Sequence, residues 1–386
     1  MSSQAETFHQ THPLEEMVVH QFLEKKLGVK PLSITSPPEI WAAYHKIYIA
    51  TFAHYGDLFL RVSKPAIPEW KTRNEVACIT WARQHIPACP APEVVAWSAT
   101  TDELGYEYVL LRRLPGRDLG AIYLDLTEDD MTRVIRQVAD MFIAMAKLPF
   151  DKIGGLTIRD NGVIEPGPVI EETSYEMDHF EQYWKYDHPN VVFDQLQLGG
   201  PFDTITDYFK ARLQRDLFVL ATHKRCAGLG ETLDAPIREL LNSLSDSVVQ
   251  KHLEDKPLIM AHQDLHLGNL LWDQQLTGVL DWEFSGITPI DQWIRRNTFQ
   301  GFSQDIIDRA VKWKLQLAEE IKAKDPELSS MLQMAPVKDK LLSLVSLTYW
   351  IVHCTVTDTQ ADDRKTWLQR FNNTLTDYKT IVQGLS

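Results

Sequence analysis

HQDLHLGNLLWDQQLTGVLDWEF, residues 262–284, is the stretch that decides the fold of this 386-residue chain. Three polar residues, Asp264, Asn269 and Asp281, stand in it among leucines, valines and glycines. The apolar run 276–280 is typical of a buried strand, so the carboxylate that follows it is expected at a strand end. The sequence therefore predicts an apolar scaffold that projects these polar side chains into a cleft.

The spacing of these three residues indicates a chemistry. Four residues separate Asp264 from Asn269, as in the catalytic loop of kinases, and Asp281 ends the apolar run that follows. Phosphoryl transfer requires an aligned acceptor oxygen and neutralised phosphate charge, and Mg²⁺ prefers hard oxygen ligands. Asp264 is therefore predicted to orient the acceptor hydroxyl and take its proton, while Asn269 and Asp281 hold Mg²⁺ on the phosphates of ATP. His262 and His266 are interpreted as supports for the loop.

A simpler interpretation of the same segment is a turn whose polar residues satisfy backbone groups. The short motif alone does not exclude this interpretation. The strand-terminal aspartate and the strand-rich segment that precedes the motif favour the catalytic interpretation.

The composition excludes some classes of function. The chain is 44% hydrophobic and 24% charged, with a formal net charge of −14. An acidic chain is a poor candidate for general binding to nucleic acid or to an anionic membrane. Four scattered cysteines without metal-site spacing fit a reducing compartment, and the N-terminus has no apolar signal region, so a cytoplasmic location is expected. The uncharged run 341–357 is interpreted as a buried helix and not as a membrane span.

The order of the predicted elements indicates two parts of different character. Strands are predicted at "KIYIATF" (46–52), "LFLRVS" (58–63) and "YEYVLLRRL" (106–114), and helices at 12–28, 68–86 and 126–148. Thr127 is a candidate cap for the last of these helices. After Pro115 and Gly116 the pattern becomes mostly helical. The prediction is an α+β fold with a strand-rich nucleotide-binding lobe over 1–113 and a helix-rich lobe over 114–386, which carries the catalytic loop, metal site and acceptor site.

The motif resembles that of a known superfamily. His262, Asp264, His266 and Asn269, followed by Asp281-Trp282-Glu283, match the pattern of the aminoglycoside phosphotransferase and choline kinase-like superfamily. The similarity extends from about residue 30 to 380 and is sharpest over 259–293, and the overall texture is similar to divergent fungal members. The resemblance implies a protein-kinase-like, two-lobed fold and an ATP-dependent small-molecule kinase.

The resemblance also implies residues that bind the nucleotide. Arg61 matches the strand cation that contacts nucleotide phosphates, and Glu75 matches the helix glutamate that holds this cation. A surface ion pair is the alternative for these two. The linker near Arg112 to Leu114 should offer backbone groups to adenine, with Leu111 at the back of the pocket. By the same resemblance, Asp291 braces the catalytic loop, whereas Glu283 is left outside the core set.

The sequence departs from the superfamily in one segment. Family members usually have a small-residue turn over the phosphates, but residues 33–52 contain no glycine. Without glycine a close backbone approach to phosphate is harder, which puts tight ATP binding in doubt. "SPP", residues 36–38, is interpreted as an alternative lid.

The acceptor is predicted to be a small-molecule alcohol. An aromatic and acidic lining would suit a cationic or aromatic alcohol, although at least half of these aromatic residues are expected to pack helices instead. The residues concerned are Trp293, Trp313, Tyr349, Trp350, Trp367, Phe371, Asp358, Asp362 and Asp363. Three functions stay open: a Mg-ATP-dependent O-phosphotransferase, a nucleotide-binding pseudoenzyme or regulatory module, and a kinase-fold enzyme that uses ATP to activate a substrate for another reaction.

Overall fold

The structure is a computed structural model that describes residues 14–36, 44–254, 256–293, 298–300 and 304–385. Its first part contains helix α1 (Glu16–Leu27), strands β1 (Ser33–Thr35), β2 (His45–Thr51) and β3 (Leu58–Ser63), helix α2 (Trp70–His85), and strands β4 (Val94–Ser98) and β5 (Tyr108–Arg112). The five strands form one antiparallel sheet in the order β1-β2-β3-β5-β4.

The two faces of this sheet pack against different parts of the molecule. Leu60 and Leu110 belong to a hydrophobic cluster with α1. Val109 and Leu111 belong to a larger cluster with α2, because neighbouring residues of a strand point to opposite faces. This larger cluster continues into the rest of the chain, so the sheet and the helical part share one core.

The rest of the chain is mainly helical. Before the catalytic segment it contains strand β6 (Arg117–Asp118), helices α3 (Leu119–Ile122) and α4 (Glu128–Ala146), strands β7 (Gly155–Ile158) and β8 (Ile164–Gly167), and helices α5 (Met177–Tyr183), α6 (Ile205–Thr222), α7 (Ala227–Ser243) and α8 (Ser247–Leu253). Strands β9 (Leu258–Ala261), β10 (Leu270–Trp272), β11 (Leu276–Val279) and β12 (Gly286–Pro289) follow, and then helices α9 (Gln304–Lys324), α10 (Pro326–Met331), α11 (Pro336–Thr357) and α12 (Ala361–Leu385).

Short antiparallel pairings hold the catalytic segment. β9 pairs with β12, and β10 pairs with both β11 and β6. Asp264 lies in the loop after β9, and a 3-10 helix at Leu267–Asn269 leads from that loop into β10. Asp281 lies in the turn between β11 and β12. The two loops therefore leave neighbouring short strands, which brings their side chains close together.

Helix α11 is the most apolar of the three long helices that follow the catalytic segment, α9, α11 and α12. Among the described residues it is the one helix whose length and mean hydropathy, 1.2 over an 18-residue window, would allow it to cross a membrane. However, 61% of that window is buried inside the protein, and Leu344, Val345 and Ile351 lie in the helical core. This burial agrees with the interpretation of 341–357 as a core helix.

Several predicted elements are present in the structure. The three predicted strands correspond to β2, β3 and β5, and α4 begins after Thr127 as expected. The Asp130 N–H donates to Thr127 Oγ1 at 3.1 Å, while the Asp130 carboxylate accepts from the Thr127 N–H at 3.1 Å. Residues 37–43 lie outside the described residues. They include most of the proposed lid at 36–38. The boundary at 113/114 stays a prediction, and the shared core crosses it.

Candidate active site

Backbone contacts join the catalytic loop to the turn that carries Asp281. The Leu280 N–H donates to the Asn269 carbonyl at 2.8 Å, and His262 Nε2 lies 2.7 Å from the Leu280 carbonyl. Asn269 Nδ2 donates to the carbonyl of Asp264 at 2.9 Å. The structure thus brings together the three residues that the sequence selected.

His262 has the contacts of a support. Burial lowers its pKa, so the ring is neutral and donates through Nε2 to the Leu280 carbonyl. The ring packs edge-on against Trp282, with centroids 4.7 Å apart. Its own carbonyl accepts from Ser285 Oγ at 3.1 Å. These contacts fix the start of the loop, as expected of a supporting residue.

His266 lies beside Asp264. Its Nδ1 accepts from the Gly268 N–H at 3.0 Å, so the ring proton is on Nε2 when the ring is neutral. Nε2 lies 3.8 Å from Asp264 Oδ2, and both side chains are partly exposed. The imidazole therefore stands next to an Asp264 carboxylate that remains partly exposed.

Asp281 adopts a backbone conformation that side chains rarely favour. Its φ is +61°, and Gln263, beside Asp264, has a φ of +65°. Arg61 Nη2 donates to Asp281 Oδ1 at 2.7 Å. Burial alone would raise the pKa of Asp281, but the Arg61 guanidinium outweighs it and the pKa lies below its ordinary value. Asp281 is consequently a carboxylate at neutral pH.

Arg61 lies between two carboxylates. Its Nε is 3.1 Å from Glu75 Oε1, so the predicted contact between the strand cation and the helix glutamate is present. The Glu75 side chain is 1% exposed, and burial raises its pKa despite the nearby guanidinium. This is a buried pair, so the alternative of a weak surface ion pair does not apply.

A second row of charged groups was missed by sequence reasoning. Lys71 Nζ lies 2.8 Å from Glu283 Oε2 and 3.2 Å from His45 Nε2, and His45 Nδ1 is 3.1 Å from Arg61 Nη2. Burial, opposed by Lys71, raises the pKa of Glu283 to about 7. The available signal was the spacing of Lys71 and Glu75, because residues four apart share a helix face.

The contacts of the linker after β5 contradict part of the expectation that backbone groups of Arg112 to Leu114 bind adenine. The N–H of Arg112 donates to the Glu93 carbonyl at 2.9 Å, and that of Arg113 donates to the Asp57 carbonyl at 3.0 Å. Both donors therefore complete the sheet and are not free for adenine. The side chain of Arg112 also turns away, to Glu93 Oε2 at 2.7 Å. Within the described residues, Leu114 keeps the available N–H of this stretch.

Asp291 lies in a buried ion pair with a helix. Lys338 Nζ, in the first turn of α11, is 3.0 Å and 2.9 Å from its two carboxylate oxygens, and both side chains are 0% exposed. The pair ties the segment after β12 to the helical core. A direct brace of the catalytic loop by Asp291 stays a prediction.

Most aromatic residues proposed for the acceptor site are buried in helix packing. Trp293, Trp313, Tyr349 and Phe371 are 5% exposed or less and belong to the hydrophobic clusters. For these four the helix-packing alternative applies, which agrees with the expectation that at least half of the aromatic residues pack helices, and they do not line an open pocket.

The donor set suits a hard cation that also binds phosphate. Asn269 Nδ2 is committed to Asp264, so its amide oxygen is the atom that can bind a cation, and the Asp281 carboxylate is the second candidate ligand. The part of the chain that the structure describes has no group of three or more His, Cys, Asp or Glu arranged to hold a metal. Mg²⁺ typically takes one or two protein carboxylates and completes its shell with phosphate oxygens and water. The residues present fit that requirement.

Comparison with known proteins assigns the family. The sequence matches the profile described as the phosphotransferase enzyme family over residues 43–292, a range that contains the proposed catalytic, metal and nucleotide-binding residues but not those proposed for the acceptor site. The chain belongs to the phosphotransferase enzyme family. This agrees with the superfamily that its catalytic motif resembles.

Three relatives of this phosphotransferase family member have names that refer to gene clusters. It is 24% and 28% identical, over 292 residues each, to subtelomeric hrmA-associated cluster proteins of Aspergillus fumigatus strains Af293 and CEA10. It is 36% identical over 287 residues to clavilactone A biosynthesis cluster protein Y of Ampulloclitocybe clavipes, with 70% of this chain and 65% of the relative covered. The first two alignments cover 64% of this chain and 56% of each relative, so the chain spans little more than half of their length.

Solved structures of similar fold are aminoglycoside phosphotransferases. The ADP-bound APH(2'')-Ib structure matches with a TM-score of 0.53 at 12% identity, covering 94% of this chain and 97% of that one. A thermostable APH(4)-Ia mutant with AMP-PNP and hygromycin B matches with a TM-score of 0.51 at 17% identity, covering 93% and 97%. At such identities the likeness shows the fold alone, and it confirms the predicted α+β, kinase-like, two-lobed fold.

Proposed function

We propose that this phosphotransferase family member transfers the γ-phosphoryl group of ATP, with Mg²⁺, to the hydroxyl of a small-molecule alcohol. One observation carries the proposal: Asn269 joins Asp264 to the turn of Asp281. A carboxylate that can take the proton of the acceptor hydroxyl and a carboxylate that can bind Mg²⁺ therefore share one site. Two relatives in fold were solved with AMP-PNP or ADP bound, which supports nucleotide use.

Asp264 serves the acceptor. The acceptor oxygen forms a bond to the γ-phosphorus, the bond from that phosphorus to the bridging oxygen of ADP breaks, and the hydroxyl proton passes to the Asp264 carboxylate. Asn269 holds the Asp264 carbonyl, and His266 Nε2 faces the carboxylate at 3.8 Å. Positioning and charge stabilisation supply most of the rate in this chemistry.

The nucleotide is held by residues of both lobes. Arg61, fixed by Glu75, contacts phosphate oxygens, and a guanidinium can bind two of them at once. The Leu114 N–H is the donor for adenine, and the apolar wall behind it includes Leu111. The oxygens of Asn269 and Asp281 hold Mg²⁺. When bound, the ion neutralises charge on the β- and γ-phosphates.

The proposal is tested with a library of small alcohols and Mg-ATP. ADP formation and new product masses larger by one phosphoryl group are followed together, with the Asp264→Asn variant as the matched control. We expect both signals from the wild-type chain and neither from the variant.

Other outcomes of this experiment identify other functions. ATP binding without ADP formation would point to a nucleotide-binding regulatory module, which the glycine-free segment 33–52 favours. ADP formation without a phosphorylated end product would point to activation of a substrate for another reaction. Either outcome would contradict the proposed alcohol kinase.

A further inference from the structure

Helix α2 presents an unusual set of polar residues to the protein interior. Lys71, Asn74, Glu75 and Cys78 are each 1% exposed or less. Their spacing of three and four residues places them on one face of the helix. Burying polar groups is unfavourable unless they find partners, so the partners of this face show what the face is for.

Asn74 uses its whole amide on segments distant in sequence. Its Nδ2 donates to the carbonyls of Glu283 at 3.0 Å and Ser285 at 2.9 Å. Its Oδ1 accepts from the Leu156 N–H at 2.8 Å. A Cβ at Gly155 would lie 2.5 Å from this oxygen, so the glycine permits the approach. Asn74 thus ties α2 to β7 and to the turn after Asp281.

Lys71 holds the same turn by its side chain. Its Nζ is 2.8 Å from Glu283 Oε2, and both groups are buried, with side-chain exposures of 2% and 5%. Cys78 adds a weaker contact, from its Sγ to the Ser285 carbonyl at 3.6 Å. Three residues on successive turns of α2 therefore converge on residues 283–285.

The turn transmits this hold to both halves of the candidate site. Two residues before Glu283 stands Asp281, in its left-handed conformation at φ +61°. Ser285 Oγ donates to the His262 carbonyl at 3.1 Å, and His262 Nε2 donates to the Leu280 carbonyl at 2.7 Å. A strained conformation persists only where the surroundings over-determine it, and these contacts do so.

We infer that Lys71 and Asn74 are positioning residues that set Asp281 for the cation. The inference rests on the proposed function, since it assigns a task to residues that touch neither substrate nor cation. Side chains that orient a metal ligand are typically worth about 10–100-fold in metal affinity. Lys71 and Asn74 act on Asp281 through the turn, since their contacts there are with Glu283 and Ser285.

The test compares ATP affinity with Mg²⁺ and with a chelator. The dissociation constant for ATP with the chelator is divided by that with Mg²⁺, so a larger ratio means a larger benefit from Mg²⁺. This ratio is measured for the wild-type chain, Lys71→Met and Asn74→Asp. We expect the ratio to fall about 10–100-fold in both variants, with the affinity for metal-free ATP nearly unchanged. Lys71→Arg keeps the charge against Glu283 and is expected to restore most of the ratio. Lys71→Met and Asn74→Asp remove independent contacts, so either one tests the inference if the other fails to fold.

The matched control is Lys64→Met. Lys64 is another buried lysine of the same lobe, but its partners are Glu176 and Asp178 and not the metal-site turn. Its loss should leave the ratio unchanged. Hydrogen exchange of the nucleotide-free chain gives a second readout. Asn74→Asp should increase exchange of the amides of 283–285, because the turn loses its donor, and should leave the Leu156 amide protected, because a carboxylate oxygen still accepts from it.

The outcomes separate this inference from the proposed function. A wild-type chain with a clear Mg²⁺ effect and variants with an unchanged ratio would overturn the positioning role alone. An equal fall in Lys64→Met would overturn it as well, because the effect would then be general destabilisation. A wild-type chain without any Mg²⁺ effect would overturn both proposals together.

Discussion

At the scale of single residues, backbone strain and buried charge occur together at the candidate site, and contacts from the rest of the molecule compensate for their cost. Asp281 and Gln263 both have positive φ, and residues held in such regions typically cost about 1–3 kcal/mol each. Arg61 brings a guanidinium against Asp281 and Glu75 in a largely buried position. Strain and buried charge at one place are typical of functional sites, and here they surround the proposed metal ligand.

Asp264→Asn tests the proposed base. We expect turnover of any accepted alcohol to fall by about 10²–10⁴-fold, because the amide cannot take the proton. Affinity for Mg-ATP should stay nearly the same, since a group that acts only in the transition state adds little to ground-state binding. Initial rates and an Mg-ATP titration of each protein provide the check. Near-normal turnover in the variant would show that the catalytic loop has been assigned wrongly.

At the scale of helices and strands, the sequence predicted the elements whose pattern is local. β2, β3 and β5 show apolar runs, and α4 shows a cap and an apolar stripe. The sequence also indicated that Asp264, Asn269 and Asp281 lie near one another, because the β10–β11 hairpin joins Asn269 to the turn of Asp281 and the Asn269 side chain contacts the Asp264 carbonyl.

The elements that depend on distant partners were not predicted. β1 and β4 are short edge strands, and β12 finds its partner β9 only in the folded chain. The roles of His45, Lys71 and Asn74 were missed for the same reason, since Lys71 and Glu283 are 212 positions apart. The helical period revealed their common face but not what the face contacts.

The Asp291–Lys338 pair tests how α11 is tied to the catalytic half. Lys338→Met should lower the free energy of unfolding by about 3–5 kcal/mol, because it leaves a buried carboxylate without its partner. The double variant Lys338→Met/Asp291→Leu should recover much of that loss. Urea unfolding curves of the variants provide the measurement.

The control for this prediction is a more exposed pair whose lysine lies on the same helix, α11. Lys340 lies 2.6 Å from Asp377, with exposures of 32% and 57%. Lys340→Met should cost no more than about 1 kcal/mol. A loss for Lys338→Met as small as that for Lys340→Met would contradict the structural role of the buried pair.

At the scale of the whole molecule, burial gives stability a definite pH dependence. Burial lowers the pKa of His353 to about 3 and also lowers the pKa of His45, His223 and His262. As the pH falls, such groups are protonated in the unfolded chain at a higher pH than in the folded chain. The folded state therefore loses stability as the pH falls below 6.5. Glu283 acts in the opposite direction, because burial raises its pKa to about 7 and its protonation favours the folded state.

His353→Phe tests this pH dependence. His353 stacks on Tyr349 with ring centroids 5.2 Å apart, and His179 and Arg215 are the charged or titratable groups that lower its pKa further. A phenyl ring keeps the stacking but cannot be protonated. Between pH 6 and pH 4 the wild-type chain should lose up to about 1.4 kcal/mol per pH unit more than the variant. Parallel stability curves for the two proteins would contradict the account.

The central claim is that the two lobes form a site for Mg-ATP, and calorimetric titration with ATP tests it most directly. The wild-type chain is titrated with Mg²⁺ and with a chelator, and Asp281→Asn is titrated in the same way. We expect the wild-type chain to bind ATP more tightly with Mg²⁺, and the variant to lose this difference because an amide oxygen replaces a charged ligand poorly. The absence of detectable binding by the wild-type chain in both conditions would contradict the account.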